Sequence, residues 1–124
     1  MSGQTKQDII DLCLTFPGAW EDYPFDENWA CIRHQAGRKT FAWIYHRNGK
    51  LWINLKCDPM TADFYRSVYQ SVTPGYHMNK EHWNTVELGG DVPANALEEM
   101  IGKSHALTAA PARKRPRQQM GEGG

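Results

Sequence analysis

The spacing of apolar residues changes period along this chain, and each change marks a predicted element. Ile9, Leu12, Cys13 and Phe16 recur at three- and four-residue intervals, which predicts a first helix. Thr5 and Asp8 ahead of them resemble a capping box with Asp in place of Glu or Gln, and Pro17-Gly18 stops the pattern. Residues 18 to 27 mix aromatic and acidic side chains without a period and read as a loop. The period then shortens to two, predicting strands at about 29–34, 40–46 and 51–56. Gly37-Arg38-Lys39 divides the first pair. Asn48-Gly49 divides the second and is a strong hairpin signal, because a type I′ turn needs positive φ at both central positions. Asp58-Pro59 is an N-cap followed by proline in the first turn, and Met60, Phe64, Tyr65 and Val68 supply the apolar stripe of a second helix. Trp83 to Leu88 reads as a further strand closed by Gly89-Gly90-Asp91. A last helix from about Pro93 to His105 buries Leu97, Met100 and Ile101. The order α-βββ-α-β-α predicts an α+β domain with a mostly antiparallel sheet.

Counting outward from the Asn48-Gly49 turn sets a register: Arg47 with Lys50, Tyr45 with Trp52, Trp43 with Asn54 and Phe41 with Lys56. One face then carries Ala42, Ile44, Leu51, Ile53 and Leu55, an aliphatic core. The other carries Phe41, Trp43, Tyr45, Trp52, Asn54 and Lys56. Such a surface either is covered by helices or a second subunit, or is a stacking platform for bases or another flat ligand.

Length allows one domain, expected to be monomeric, over residues 1–110. From residue 111 the chain is Pro, Gly, Gln and basic residues, which predicts a disordered basic tail. The formal net charge of zero conceals an asymmetry. Four of 14 basic but only one of 14 acidic residues lie in that tail, leaving ten against thirteen in the domain. A domain about three charges negative is poorly suited to holding duplex DNA by phosphate neutralisation alone. With no long apolar run and no signal-peptide pattern, a cytoplasmic protein without membrane attachment is expected. Cys13, Cys31 and Cys57 form an odd set without C-x-x-C spacing, so buried reduced thiols are expected.

Residues 74 to 86 concentrate binding chemistry: His77, Asn79, Lys80, His82 and Asn84, together with Lys56, offer donors to phosphate and amides for a base edge. Asn79 as a turn cap and Trp83 as core filling are the structural alternatives. His77 and His82 are five apart, which does not place both on one helical face, so no metal site is expected. No nucleophile–base pair is evident. Cys57 stands beside Asp58, whose charge raises a thiol pKa, and no catalytic residue is assigned. The acidic residues Glu21, Asp22, Asp26 and Glu27 read as a solvated rim.

Three motifs in order, Phe16-Pro17-Gly18-Ala19 with Glu21-Asp22-Tyr23-Pro24-Phe25, Asn54-Leu55-Lys56-Cys57-Asp58-Pro59, and Pro74 to Lys80 with His82 to Val86, resemble the YjbR/MmcQ family. The resemblance spans roughly residues 5 to 107. It implies a CyaY-like or secretion-chaperone-like fold and a double-wing DNA-binding motif whose wings are hairpin turns. Candidate wings are Gly37-Arg38-Lys39, Arg47-Asn48-Gly49-Lys50 and Gly89-Gly90. The resemblance implies no established enzyme activity and no cofactor. The leading expectation is a non-enzymatic module binding DNA or RNA. Lys56, His77, Asn79, Lys80, His82 and Asn84 would hold phosphate or base edges, Trp43 and Trp52 would stack, and Arg38, Lys39 and Lys50 would add electrostatic contacts. A chaperone-like protein–protein adaptor using the aromatic face, and a small-anion or metabolite binder at residues 74–86, are the alternatives.

Overall fold

A computed structural model describes residues 5–110. The predicted basic tail lies outside the described residues. Within them, helices α1 (Lys6–Leu14), α2 (Pro59–Val68) and α3 (Ala94–Thr108) accompany strands β1 (Ala19–Asp22), β2 (Ala30–His34), β3 (Thr40–Arg47), β4 (Lys50–Lys56), β5 (Val72–Pro74) and β6 (Trp83–Glu87). The six strands form one antiparallel sheet in the order β1-β2-β3-β4-β6-β5. The α+β class follows, with two strands more than the apolar pattern predicts. β1 falls inside the stretch read as a loop; its four half-buried residues show no alternation to betray it. β5 is three residues long, only Val72 of them buried, and it ends in Pro74 at the sheet edge.

The local chemistry works as its residue types dictate. Thr5 and Asp8 complete the capping box of α1, and Asp58 accepts from the Thr61 amide at the start of α2. Asn48 and Gly49 adopt φ of 55° and 74°, the type I′ conformation, and the pairing runs from Arg47↔Lys50 through Trp43↔Asn54 as counted from the turn. All three helices pack on one face of the sheet, where Ile9, Ile32, Ala42, Ile44, Ile53, Leu55, Leu97 and Ile101 make the core.

Two expectations about faces fail. Phe41 does not share a face with Trp43. β2 pairs Ile32 with Ala42 but Arg33 with Thr40, so Phe41 is the extra residue of a β-bulge. The bulge turns Phe41 into the core, fully buried beside Phe16, His34 and His105. The second error concerns α2, whose inward stripe is Ala62, Tyr65, Arg66 and Tyr69. Met60, Phe64 and Val68 remain 84%, 59% and 49% exposed. Arg66 sets this rotation: its Nε donates to Asn84 Oδ1 at 2.7 Å, and its Nη2 donates to the carbonyls of Lys80 and Trp83.

Candidate functional site

The second sheet face has no helix over it among the described residues. By strand parity it carries Trp20 on β1, Arg33 on β2, Trp43 and Tyr45 on β3, Trp52, Asn54 and Lys56 on β4, and Trp83 and Thr85 on β6. Trp29, just ahead of β2, stacks on Tyr45 with ring centroids 4.0 Å apart. All five tryptophans of the chain therefore lie on this face.

Two connections fold partly over it. The first runs from β1 to β2 and carries Phe25 and Trp29. Lys6 of α1 anchors it by donating to the carbonyls of Glu27 and Asn28. The Asn28 side chain both donates to the carbonyl of His46 and accepts from its amide, which ties the connection to β3. Asp26 Oδ1 accepts from the amides of Asn28 and Trp29, closing a tight turn that presents Phe25. Phe25, 74% exposed, then lies parallel to Trp43 at 5.6 Å.

The second connection, from β5 to β6, is held by a buried polar cluster. Asn54 Oδ1 accepts from the Tyr45 hydroxyl at 2.8 Å and the Thr85 hydroxyl at 2.7 Å, while Asn54 Nδ2 donates to the Tyr76 carbonyl at 3.0 Å. The Tyr76 amide donates to Thr85 Oγ1 at 2.7 Å. Tyr76 is thus fixed by both of its backbone polar groups. Its ring lies 4.0 Å from the Arg47 guanidinium, which also lies over the Trp52 ring at 4.7 Å. His77 follows with φ of 61°, a left-handed conformation unusual for a non-glycine residue.

Between the two connections lies an open groove of about 550 Å³. Phe25, Trp29, Trp43 and Tyr76 give it aromatic walls, His77 and Met78 border one side, and Asp26 is the charged residue on the other. Flat, π-rich ligands suit such walls.

Of the residues singled out in the sequence, the groove gathers Trp43 and His77, and Trp52 supports it through Arg47. The rest are dispersed. Lys56 stands at the far end of β4, half-buried. Asn84 is buried on the helix side, bonded to Arg66 and the Ala62 carbonyl. Asn79 caps its own turn by accepting from the amides of Glu81 and His82, and Lys80 Nζ donates to the Gly75 carbonyl at 2.7 Å. The His82 side chain is exposed. Arg38 sits 5.8 Å from the Trp20 ring, Lys39 is exposed, and Lys50 pairs with Glu87 at 3.4 Å. Phe25, Asp26, Trp29 and Tyr76 escaped sequence reading. Trp29 and Tyr76 were visible as aromatics flanking strands, but their convergence depends on the Asn28 and Asn54 bonds.

The cysteines are free and buried. Burial raises the Cys13 thiol to about 12, and burial with the Asp58 charge raises Cys57 to about 11, so both are protonated and poorly nucleophilic at neutral pH.

A model of the YjbR family matches residues 14–107. The chain belongs to the YjbR family. Relatives of this family include YyaQ of Bacillus subtilis, an uncharacterized protein 32% identical over 116 residues, covering 84% of this chain and 98% of YyaQ. YbdF of Escherichia coli O157:H7, also uncharacterized, is 31% identical over 90% of each chain. Among solved structures, a Deinococcus radiodurans protein with domain DUF419 superposes with a TM-score of 0.78 at 32% identity, covering 90% of this chain and 83% of its own. A Pseudomonas syringae protein superposes with a TM-score of 0.76 at 30% identity, covering 86% and 100%. The YjbR domain is therefore this sheet with helices on one side. Among the described residues no helix is long and apolar enough to cross a membrane.

Proposed function

We propose that this YjbR-family chain is a non-enzymatic nucleic-acid-binding module whose DNA- or RNA-contacting surface is the open sheet face. The observation that carries this reading is the placement of all five tryptophans on the one face that no helix covers among the described residues. Aromatic side chains left in reach of solvent stack on bases, at about 1–3 kcal/mol per base. Cations line the same face near the ends of β2 and β4: Arg33, Arg38 and Lys56. They supply phosphate contacts without making the domain basic overall.

The indole N–H groups report directly on this surface. Titrating the full chain with short oligonucleotides at low and moderate salt is expected to shift the indole NMR signals of Trp29 and Trp43, and the backbone signals of residues 76 to 78. Shifts confined to the basic residues after Pro111, and abolished by salt, would overturn this reading.

One observation favours a second reading, a protein–protein adaptor. The exposed apolar stripe of Met60, Phe64 and Val68 lies on the helix layer, away from the aromatic face.

A further inference from the structure

We infer that the groove receives an unpaired nucleobase, so that the nucleic acid recognised is single-stranded; the inference rests on the nucleic-acid reading above. The first ground is what the rings present. Phe25 and Trp43 lie nearly parallel, 9° between their planes, at the mouth of a groove backed by Trp29 and Tyr76. Aromatic faces recognise the faces of bases, and in a duplex those faces are covered by neighbouring pairs. A volume of about 550 Å³ is within the range of small-ligand sites.

The second ground is charge. Asp26 is the charged residue lining the groove. Arg47 lies outside the lining with its guanidinium against the Tyr76 and Trp52 rings, and Arg38 and Lys56 stand at the far end of the face. A phosphate is therefore disfavoured inside the groove and favoured at those cations. Asp26 uses Oδ1 for the amides of Asn28 and Trp29, and its other oxygen has no bond among the described residues. A carboxylate oxygen accepts from the exocyclic amino groups of cytosine, adenine and guanine. Thymine has no amino group, and its ring N–H is flanked by two carbonyl oxygens that a carboxylate repels, so the site prefers cytosine to thymine.

The third ground is the position of the hairpin turns. Gly37-Arg38-Lys39 precedes β3 and Asn48-Gly49 follows it, so the two turns stand at opposite ends of an eight-residue strand. Roughly 26 Å separates them at the usual rise per residue. These two do not flank one another; Gly89-Gly90, which follows Leu88 where its amide donates to the Leu51 carbonyl, stands beside Asn48-Gly49 at the end away from Arg38. A single strand laid along the face from the groove reaches the first turn.

The test measures tryptophan quenching of the full chain by a mixed-sequence 12-nucleotide single strand and by the matching duplex, in about 0.2 M salt to suppress simple charge attraction. The expected result is at least tenfold tighter binding of the single strand, weakened about fivefold or more in Phe25→Ala and in Trp43→Ala. Phe25 is exposed, so its variant keeps the fold even if Trp43→Ala does not. Asp26→Asn, which keeps the turn-closing acceptor, is expected to shrink the preference for oligo-dC over oligo-dT. Equal or tighter duplex binding, or single-strand binding indifferent to Phe25→Ala, overturns this inference and leaves the nucleic-acid reading standing. Binding of neither overturns both.

Discussion

At the scale of single residues, Asn54 decides whether the groove exists. Its amide is fully buried, yet each of its polar atoms is matched: two hydroxyls on the oxygen and the Tyr76 carbonyl on the nitrogen. A buried polar cluster of this kind is stable only when complete, because each orphaned member costs about 1–3 kcal/mol. Asn54→Leu keeps the volume but leaves the Tyr45 and Thr85 hydroxyls without their acceptor and the Tyr76 carbonyl without its donor, so that Tyr76 is held by its amide alone. We expect a loss of about 2–4 kcal/mol in urea unfolding, by the same per-group cost. Oligonucleotide affinity should fall at denaturant-free conditions where the variant is still folded, since Tyr76 is a groove wall. Tyr45→Phe removes a single donor and leaves Asn54 bonded to Thr85, so the expected cost is only about 1 kcal/mol. Equal stability losses for the two variants would show that the cluster is not cooperative.

At the scale of elements, α2 turns Arg66 inward beside Ala62 and Tyr65 and leaves Met60, Phe64 and Val68 outward. The periodic stripe Met60, Phe64, Val68 is the better helical pattern, but packing follows Arg66, whose acceptors are carbonyls and an amide brought in from β6 and its approach. Met60→Ser and Phe64→Ser are therefore expected to change thermal stability by less than about 0.5 kcal/mol, as for ordinary surface positions. Truncating Tyr65, 6% exposed, should cost about 3–5 kcal/mol in the manner of a core aromatic. A large loss at Phe64 would mean that another surface covers the helix in solution. The same contrast separates what was legible in the sequence from what was not. The β3–β4 register was legible because Asn48-Gly49 imposes it locally, within two residues. The fate of Phe41 was not, because a bulge arises from how two strands meet; the site of α2 was not, because Arg66 answers to residues at least fourteen positions away. Strand parity placed Trp43 and Trp52 together correctly, whereas Trp29 and Phe25 join them only through the side-chain bonds of Lys6, Asp26 and Asn28.

At the scale of the whole molecule, the open face has the groove at one end and a group of cations at the other. Phe25, Trp29, Trp43 and Tyr76 line the first, while Arg33, Arg38 and Lys56 stand at the second beside Trp20 and Trp83. Arg33 is already paired with Asp22 at 3.0 Å, so Arg38 and Lys56 remain for phosphates. Counterion release for single strands then gives a slope of log K against log salt of about −1.4, from roughly −0.7 per phosphate neutralised. Stacking carries no such slope and persists as salt rises. Oligonucleotide length separates the two ends. The shortest strands fill only the groove, and their affinity should respond to Phe25→Ala but not to Arg38→Ala. Longer strands, within the site sizes of about 4–16 nucleotides seen for single-strand platforms, reach the turn before β3. There Arg38→Ala should weaken binding and make the salt slope shallower by about 0.7. An Arg38→Ala effect independent of length would mean that the strand does not run from the groove along β3. It would place the phosphate contacts and the base contacts on separate molecules of nucleic acid.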